Sequence, residues 1–105
     1  MKQIIVPRDE KAIHDLDYDI ATEEQLISWI LTDDEYKELD SLNIFDLLNN
    51  QCNSLIDEYE DETIPYDRLN NSIYILSQYN NPVVKKICNF ITEAINRKTS
   101  IHFYF

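Results

Sequence analysis

Carboxylates dominate the side chains that could do chemistry here. Asp57, Glu58, Glu60, Asp61 and Glu62 stand in one run, DEYEDE. A second cluster holds Asp33, Asp34, Glu35, Glu38 and Asp40, and a third Asp15, Asp17, Asp19, Glu23 and Glu24. Paired carboxylates can act as general acid and base, but only inside a cleft that drives their proton affinities apart. Consecutive acids instead turn mostly to water. No nucleophile, base and orienting group fall into a recognisable set, and no oxyanion device accompanies them. An enzyme is not expected.

Metal chemistry fares no better. Asp15, Asp17 and Asp19 open like a calcium loop, which then needs Gly at position 6 and a bidentate Glu at position 12. Those positions hold Ile20 and Leu26. The chain has no glycine at all, so phosphate-cradling loops and dinucleotide fingerprints are excluded with it. Its two histidines, His14 and His102, are far apart in sequence, and zinc needs several His or Cys ligands at workable spacing. His102 is expected at the surface. Cys52 and Cys88 sit among apolar residues at helical spacing and read as buried free thiols. No cofactor is expected.

What remains is binding. Nineteen of the twenty acidic side chains lie in residues 1–67, with four basic ones. Residues 68–105 carry five basic and one acidic. The net charge is −11. Crowded carboxylates repel one another, and a basic surface brought against them relieves that repulsion. Such a surface would itself be repelled by bare nucleic acid and by anionic lipid. Tyr36, Tyr59 and Tyr66 are interleaved with the acids, and tyrosine is enriched in interface cores. The plainer reading of each is half-buried packing, strongest for Tyr59, which lines up with Leu55 and Ile56. The expected partner is therefore a basic protein. The expected contact residues are Asp57, Glu58, Glu60, Asp61 and Glu62, then Asp33, Asp34 and Glu35, with Tyr66 beside them.

The elements that must position these residues can be read from periodicity. A length of 105 residues suits one domain, 1–105. Residues 2–6 read as a strand stopped by Pro7, and 7–21 as a polar loop with room for a helical turn. Thr22 to Gln25 has capping-box spacing, predicting a short helix through Leu31 with Leu26, Trp29 and Ile30 inward. Thr32 to Glu35 repeats the box ahead of a helix bearing Tyr36 and Leu39. Ile44, Phe45, Leu48, Cys52, Leu55, Ile56 and Tyr59 recur every three or four residues and predict a helix over 44–60. Asn49, Asn50 and Asn53 lie off that face, toward solvent. Further helices follow over 66–79 and from Pro82 to about residue 97. Residues 100–105 alternate as a strand, with Ile101, Phe103 and Phe105 on one side.

Two short strands at opposite chain ends need each other, so 2–6 should pair with 100–105. The fold class is then α+β: mostly helical, about four to five helices, with a small sheet joining the two terminal strands. Without glycine, turns need Asn in left-handed backbone, and Asn49-Asn50, Asn70-Asn71 and Asn80-Asn81 are available. No stretch is apolar enough for a membrane span, and the opening MKQIIVPRDE lacks a secretory apolar core. A cytoplasmic monomer is the expectation.

The segment LIDEYEDETI (55–64) and the ending TSIHFYF (99–105) resemble small acidic immunity proteins of bacterial contact-dependent inhibition and other polymorphic toxin systems. The likeness spans roughly residues 35–105. It implies one-to-one binding to a cognate toxin domain, often a nuclease with a basic cleft, and no catalytic residues. Two alternatives stand beside it. One is a phosphate mimic that inhibits a nucleic-acid-binding defence protein. The other is an acidic adaptor with no inhibitory role.

Overall fold

A computed structural model describes residues 1–105. Its elements run β1 (Lys2–Pro7), α1 (Glu10–Asp17), β2 (Leu26–Leu31), α2 (Asp33–Ser41), α3 (Ile44–Cys52), β3 (Asp61–Pro65), α4 (Asn70–Leu76), α5 (Pro82–Arg97) and β4 (Ser100–Tyr104). Single 3-10 turns at Glu23–Gln25 and Tyr66–Arg68 precede β2 and α4. The strands form one antiparallel sheet in the order β2-β1-β4-β3. The fold is α+β with five helices, and the two terminal strands pair as the sequence implied, Gln3 opposite Tyr104 and Ile5 opposite His102.

β1 is central because Ile4, Ile5 and Val6 are apolar on both faces. Its inner face (Ile4, Val6) joins Trp29, Leu31, Ile64, Ile101 and Phe103 in a core closed by α2 to α5. Leu39, Leu48, Leu76, Ile87 and Ile91 are among its fully buried helical members. Truncating any of these to Ala costs about 2–5 kcal/mol. α1 packs on the other face of β1, where Ala12 and Ile5 are buried.

Five expectations change. First, residues 26–31 are a strand, not a helix. The capping box at Thr22 forms, with Gln25 Oε1 accepting from Thr22 N at 2.9 Å, but it closes only one turn. Leu26, Trp29 and Ile30 fit helical spacing, yet Ile27, Trp29 and Leu31 also alternate. Pairing with β1 decides between the two patterns. Second, the helix over 44–60 stops at Cys52, where Asn53 turns left-handed at φ 52°.

Third, β1 runs through Pro7, and residues 10–17 form a full helix capped by Asp9, which accepts from Ala12 N at 2.8 Å. Fourth, the helix over 66–79 is shorter, a 3-10 turn and then Asn70–Leu76. Fifth, the left-handed residues are Asp19, Asn43, Asn53, Tyr59 and Lys98, none of them in the three Asn pairs. Asn81 instead caps α5, accepting from Val83 N at 2.9 Å with Pro82 in the first turn.

Candidate functional site: an acidic surface around Tyr36 and Tyr104

With α3 ending early, residues 53–60 become an irregular turn rather than a helix end. Asn49 holds that turn together. Its side chain accepts from Ile56 N at 2.7 Å and from Ser54 Oγ at 2.9 Å, and donates to Ile56 O at 3.0 Å. Expected in solvent, it is instead the brace of the site. The turn buries Ile56 but leaves Leu55 and Tyr59 81% and 85% exposed, the reverse of what the helical stripe implied.

Two grooves share this surface. One, of about 600 Å³, is lined by Asp46, Asn49, Leu55, Ile56, Asp57 and Glu60. The other, of about 290 Å³, is lined by Lys2, Asp33, Tyr36, Lys37, Asp40 and Glu58. Neighbours Asp57 and Glu58 join them. The clusters at 33–40 and 57–62 are thereby brought onto one face of the molecule.

Lys2 is the pin between them. Its Nζ lies 3.6 Å from Glu58 Oε1, 4.7 Å from the Tyr36 ring centre and 5.3 Å from that of Tyr59. The Tyr36 phenol is pushed up to about 12, first by burial, then by Glu58, Asp40 and Asp57, whose negative charge resists a phenolate. Asp40 of α2 and Glu58 of the turn line the same groove as this phenol.

Two members of the third cluster, Asp17 and Asp19, act on the neighbouring strand β4. The Tyr104 phenol is also raised, by burial first and then by Asp61, Asp17 and Asp19. Asp61 of β3, Asp17 at the end of α1 and Asp19 just beyond it thus act on the same phenol. The sheet is what unites carboxylates that are more than forty residues apart in sequence. His102 lies beneath this region. It is buried rather than exposed, within hydrogen-bond distance of Ser100 Oγ (2.8 Å) and Thr63 Oγ1 (3.1 Å), and burial pushes its imidazole down. The alternation of the last strand placed it opposite the core correctly, but α1 and the Asp17–Asp19 turn cover that face.

Not every acid is free to bind. Glu62 accepts from Leu55 N at 2.6 Å and Thr63 N at 2.9 Å, so it closes the turn and the strand edge. Glu35 caps α2, accepting from Thr32 N at 2.9 Å, and that bond above all holds its carboxyl below the usual range. Asp15 is buried and accepts from Lys11 (2.7 Å) and Gln25 (2.8 Å), which keep it well below the ordinary range. Asp34 is exposed in the first turn of α2. Tyr66 is half-buried in a 3-10 turn and lines neither groove.

Asp57, Glu58, Glu60, Asp61 and Asp33 therefore remain as outward carboxylates. Asp17, Asp19, Asp40, Asp46 and the Tyr36–Lys2–Tyr59 stack join them. The interleaved tyrosines were the visible signal for Tyr36 and Tyr59; nothing in the sequence marks Lys2. Cys52 is buried and Cys88 half-buried, both as free thiols that burial makes less acidic. No three His, Cys, Asp or Glu side chains converge as a metal site. Chemically, the surface can take guanidinium and ammonium groups beside aromatic and aliphatic area.

A solved structure with the same fold is that of the DNA mimic protein DMP12 from Neisseria. It superposes over 100% of both chains with a TM-score of 0.68 and 15% identity. At that identity the likeness is one of fold. No family model and no curated protein matches the sequence. No helix is long and apolar enough to cross a membrane.

Proposed function

We propose that this chain is a DNA mimic: it binds the nucleic-acid-binding surface of a basic protein and blocks it. The observation that carries this reading is that two sequence-distant acid clusters, 33–40 and 57–62, line adjoining grooves of one surface. Its support from comparison is the fold it shares with a protein described as a DNA mimic. A duplex is recognised first by its phosphates, and Lys and Arg that grip phosphates pair readily with carboxylates. Opposite potentials bring such partners together at rates up to about 10⁸–10⁹ M⁻¹s⁻¹ at low salt. Leu55, Tyr36 and Tyr59 supply packing area between the charges, which is where affinity concentrates.

The immunity reading is a narrower form of the same mechanism. A nuclease toxin has a phosphate-binding cleft, and the acidic surface would fill or flank it. The residues that suit that role are Asp57, Glu58, Glu60 and Asp61, all exposed but the half-buried Glu58. Toxicity assays in cells that express this chain with a co-encoded toxin separate the narrow reading from the broad one.

The direct test is competition. A protein captured by this chain should be displaced by duplex DNA at constant ionic strength, and should lose its hold on DNA when this chain is added. A complex that duplex DNA does not disturb refutes the mimic.

A further inference from the structure

The two edges of the sheet differ in a way the acidic surface does not explain. Arg8 N donates to Gln25 O at 2.9 Å, one step beyond the β1–β2 register. Bonded and non-bonded pairs alternate along an antiparallel ladder. Counting inward, Val6–Ile27, Ile4–Trp29 and Lys2–Leu31 exchange bonds. Leu26, Ser28 and Ile30 then turn their backbone groups away from β1. Pro7, opposite Leu26, has no N–H to give, which fits a non-bonded pair.

Leu26 N–H is used by Glu23 O. The N–H groups of Ser28 and Ile30, and the C=O groups of all three, find no backbone partner in the chain. Ser28 is exposed, and Ile30 is 56% exposed. The strand LISWIL carries no charge, proline or glycine, the usual devices that protect an edge. Four exposed acids bracket it instead: Glu23 and Glu24 before, Asp33 and Asp34 after. Lys86 lies over the Trp29 ring at 4.6 Å, and Lys2 pairs with Leu31 on the inner side of the strand.

We propose that β2 receives an extended segment of the basic partner as a fifth strand, with an alternating apolar centre and Lys or Arg at both ends. The proposal rests on the DNA-mimic reading and adds a second, sequence-specific grip to it. Backbone pairing gives affinity, and every second side chain gives selectivity. A second copy of this chain is the wrong occupant. Antiparallel pairing about Ser28 would match Leu26 with Ile30 of the other copy, but it would bring Glu23 toward Asp33 between molecules of net charge −11. Cationic ends remove that repulsion.

The probe is a blocked synthetic peptide, Lys-Arg-Ile-Thr-Val-Thr-Ile-Arg-Lys; the control carries Glu in place of every Lys and Arg. Residue-resolved amide exchange reads the edge. Saturating probe should slow Ser28 and Ile30 about tenfold or more and leave Ile27 and Trp29, already bonded to β1, unchanged. Ser28→Pro removes an outward N–H without touching the ladder. Ile30→Lys keeps every backbone group and adds a repelling charge. Both variants should abolish the protection.

Three results overturn the proposal: no slowing under saturating probe, equal protection by the acid-ended control, or a free chain that sediments as a dimer with Ser28 and Ile30 already protected. DNA competition on the acidic surface runs separately. If it succeeds while the probe fails, strand addition falls alone; if duplex DNA displaces nothing, the mimic reading falls with it.

Discussion

β3 and β2 are the two edges of one sheet, and they handle the same hazard in opposite ways. Phe105 N bonds Glu60 O at 3.3 Å and Tyr66 N bonds Thr99 O at 3.1 Å. By the same alternation Asp61, Thr63 and Pro65 face outward from β3. Pro65 has no N–H, Thr63 N–H is held by Glu62 at 2.9 Å, and Asp61 carries a charge. Only the Asp61 N–H is left outward without a partner, beside its own carboxylate, so that edge is guarded and anionic. β2 is open and uncharged. The lesson is that a strongly acidic protein can carry charge on one sheet edge and leave the other uncharged with its backbone unpaired. One edge adds carboxylate to a surface that attracts cations, and the other keeps free backbone for a strand that such attraction could deliver.

The contrast can be broken in several ways. The largest effect should come from Asp57→Lys, Glu58→Lys, Glu60→Lys and Asp61→Lys together. Association with a DNA-displaced partner should slow on the order of 10²-fold or more at low salt, while circular dichroism and melting stay near those of the parent. Unchanged association by stopped flow removes the β3 side from the interface. Peptide binding at β2 should survive these changes, since the reversed acids lie at the other edge.

Asn49→Ala should cost about 2–3 kcal/mol in urea unfolding, because it strips three hydrogen bonds from a partly buried turn. A loss below about 0.5 kcal/mol would mean the turn stands without its brace. Glu62→Ala should cost about 1–2 kcal/mol and speed exchange of the Thr63 amide, making β3 resemble β2; the Ser28 amide should not change. Equal exchange at Thr63 and Ser28 in the parent protein would erase the difference between the edges.

The smallest effect concerns pH. Burial holds His102 below its ordinary value of 6.5 even though Asp17 pulls the other way. The unfolded chain then binds more protons than the folded one just below that value. Stability from this group is full above about pH 6.5 and declines as pH falls toward the folded value. His102→Gln should flatten that part of a stability–pH curve. A curve unaltered by the substitution shows that His102 titrates alike in both states.

Much of the fold is legible in local pattern. The alternation of Ile101, Phe103 and Phe105, and the apolar run Ile4-Ile5-Val6, forecast the central pair of strands. Val84, Ile87, Ile91 and Ala94 forecast α5, where Pro82 and Asn81 fix its start. The errors cluster where one segment satisfies two periods. Leu26 to Leu31 fits helix and strand, and only the neighbouring β1 chooses. The stripe from Ile44 to Tyr59 continues on paper past Cys52, but Asn49 finds better use for its amide in closing a turn than in water. The site shows the same division. The acids were visible; which of them bind inward, as Glu35 and Glu62 do, was not.

Composition and order of residues by themselves determined that this protein is anionic, that its charge is concentrated before residue 68, and that its ends form strands, because net charge and short-range periodicity need no knowledge of neighbours. The contacts of the folded chain set the rest: that the acid runs at 33–40 and 57–62 meet, that His102 is covered, and that one sheet edge is guarded by charge and proline while the other is free. Those outcomes depend on contacts between residues tens of positions apart, where the register of a ladder, rather than any local preference, sets which groups face outward.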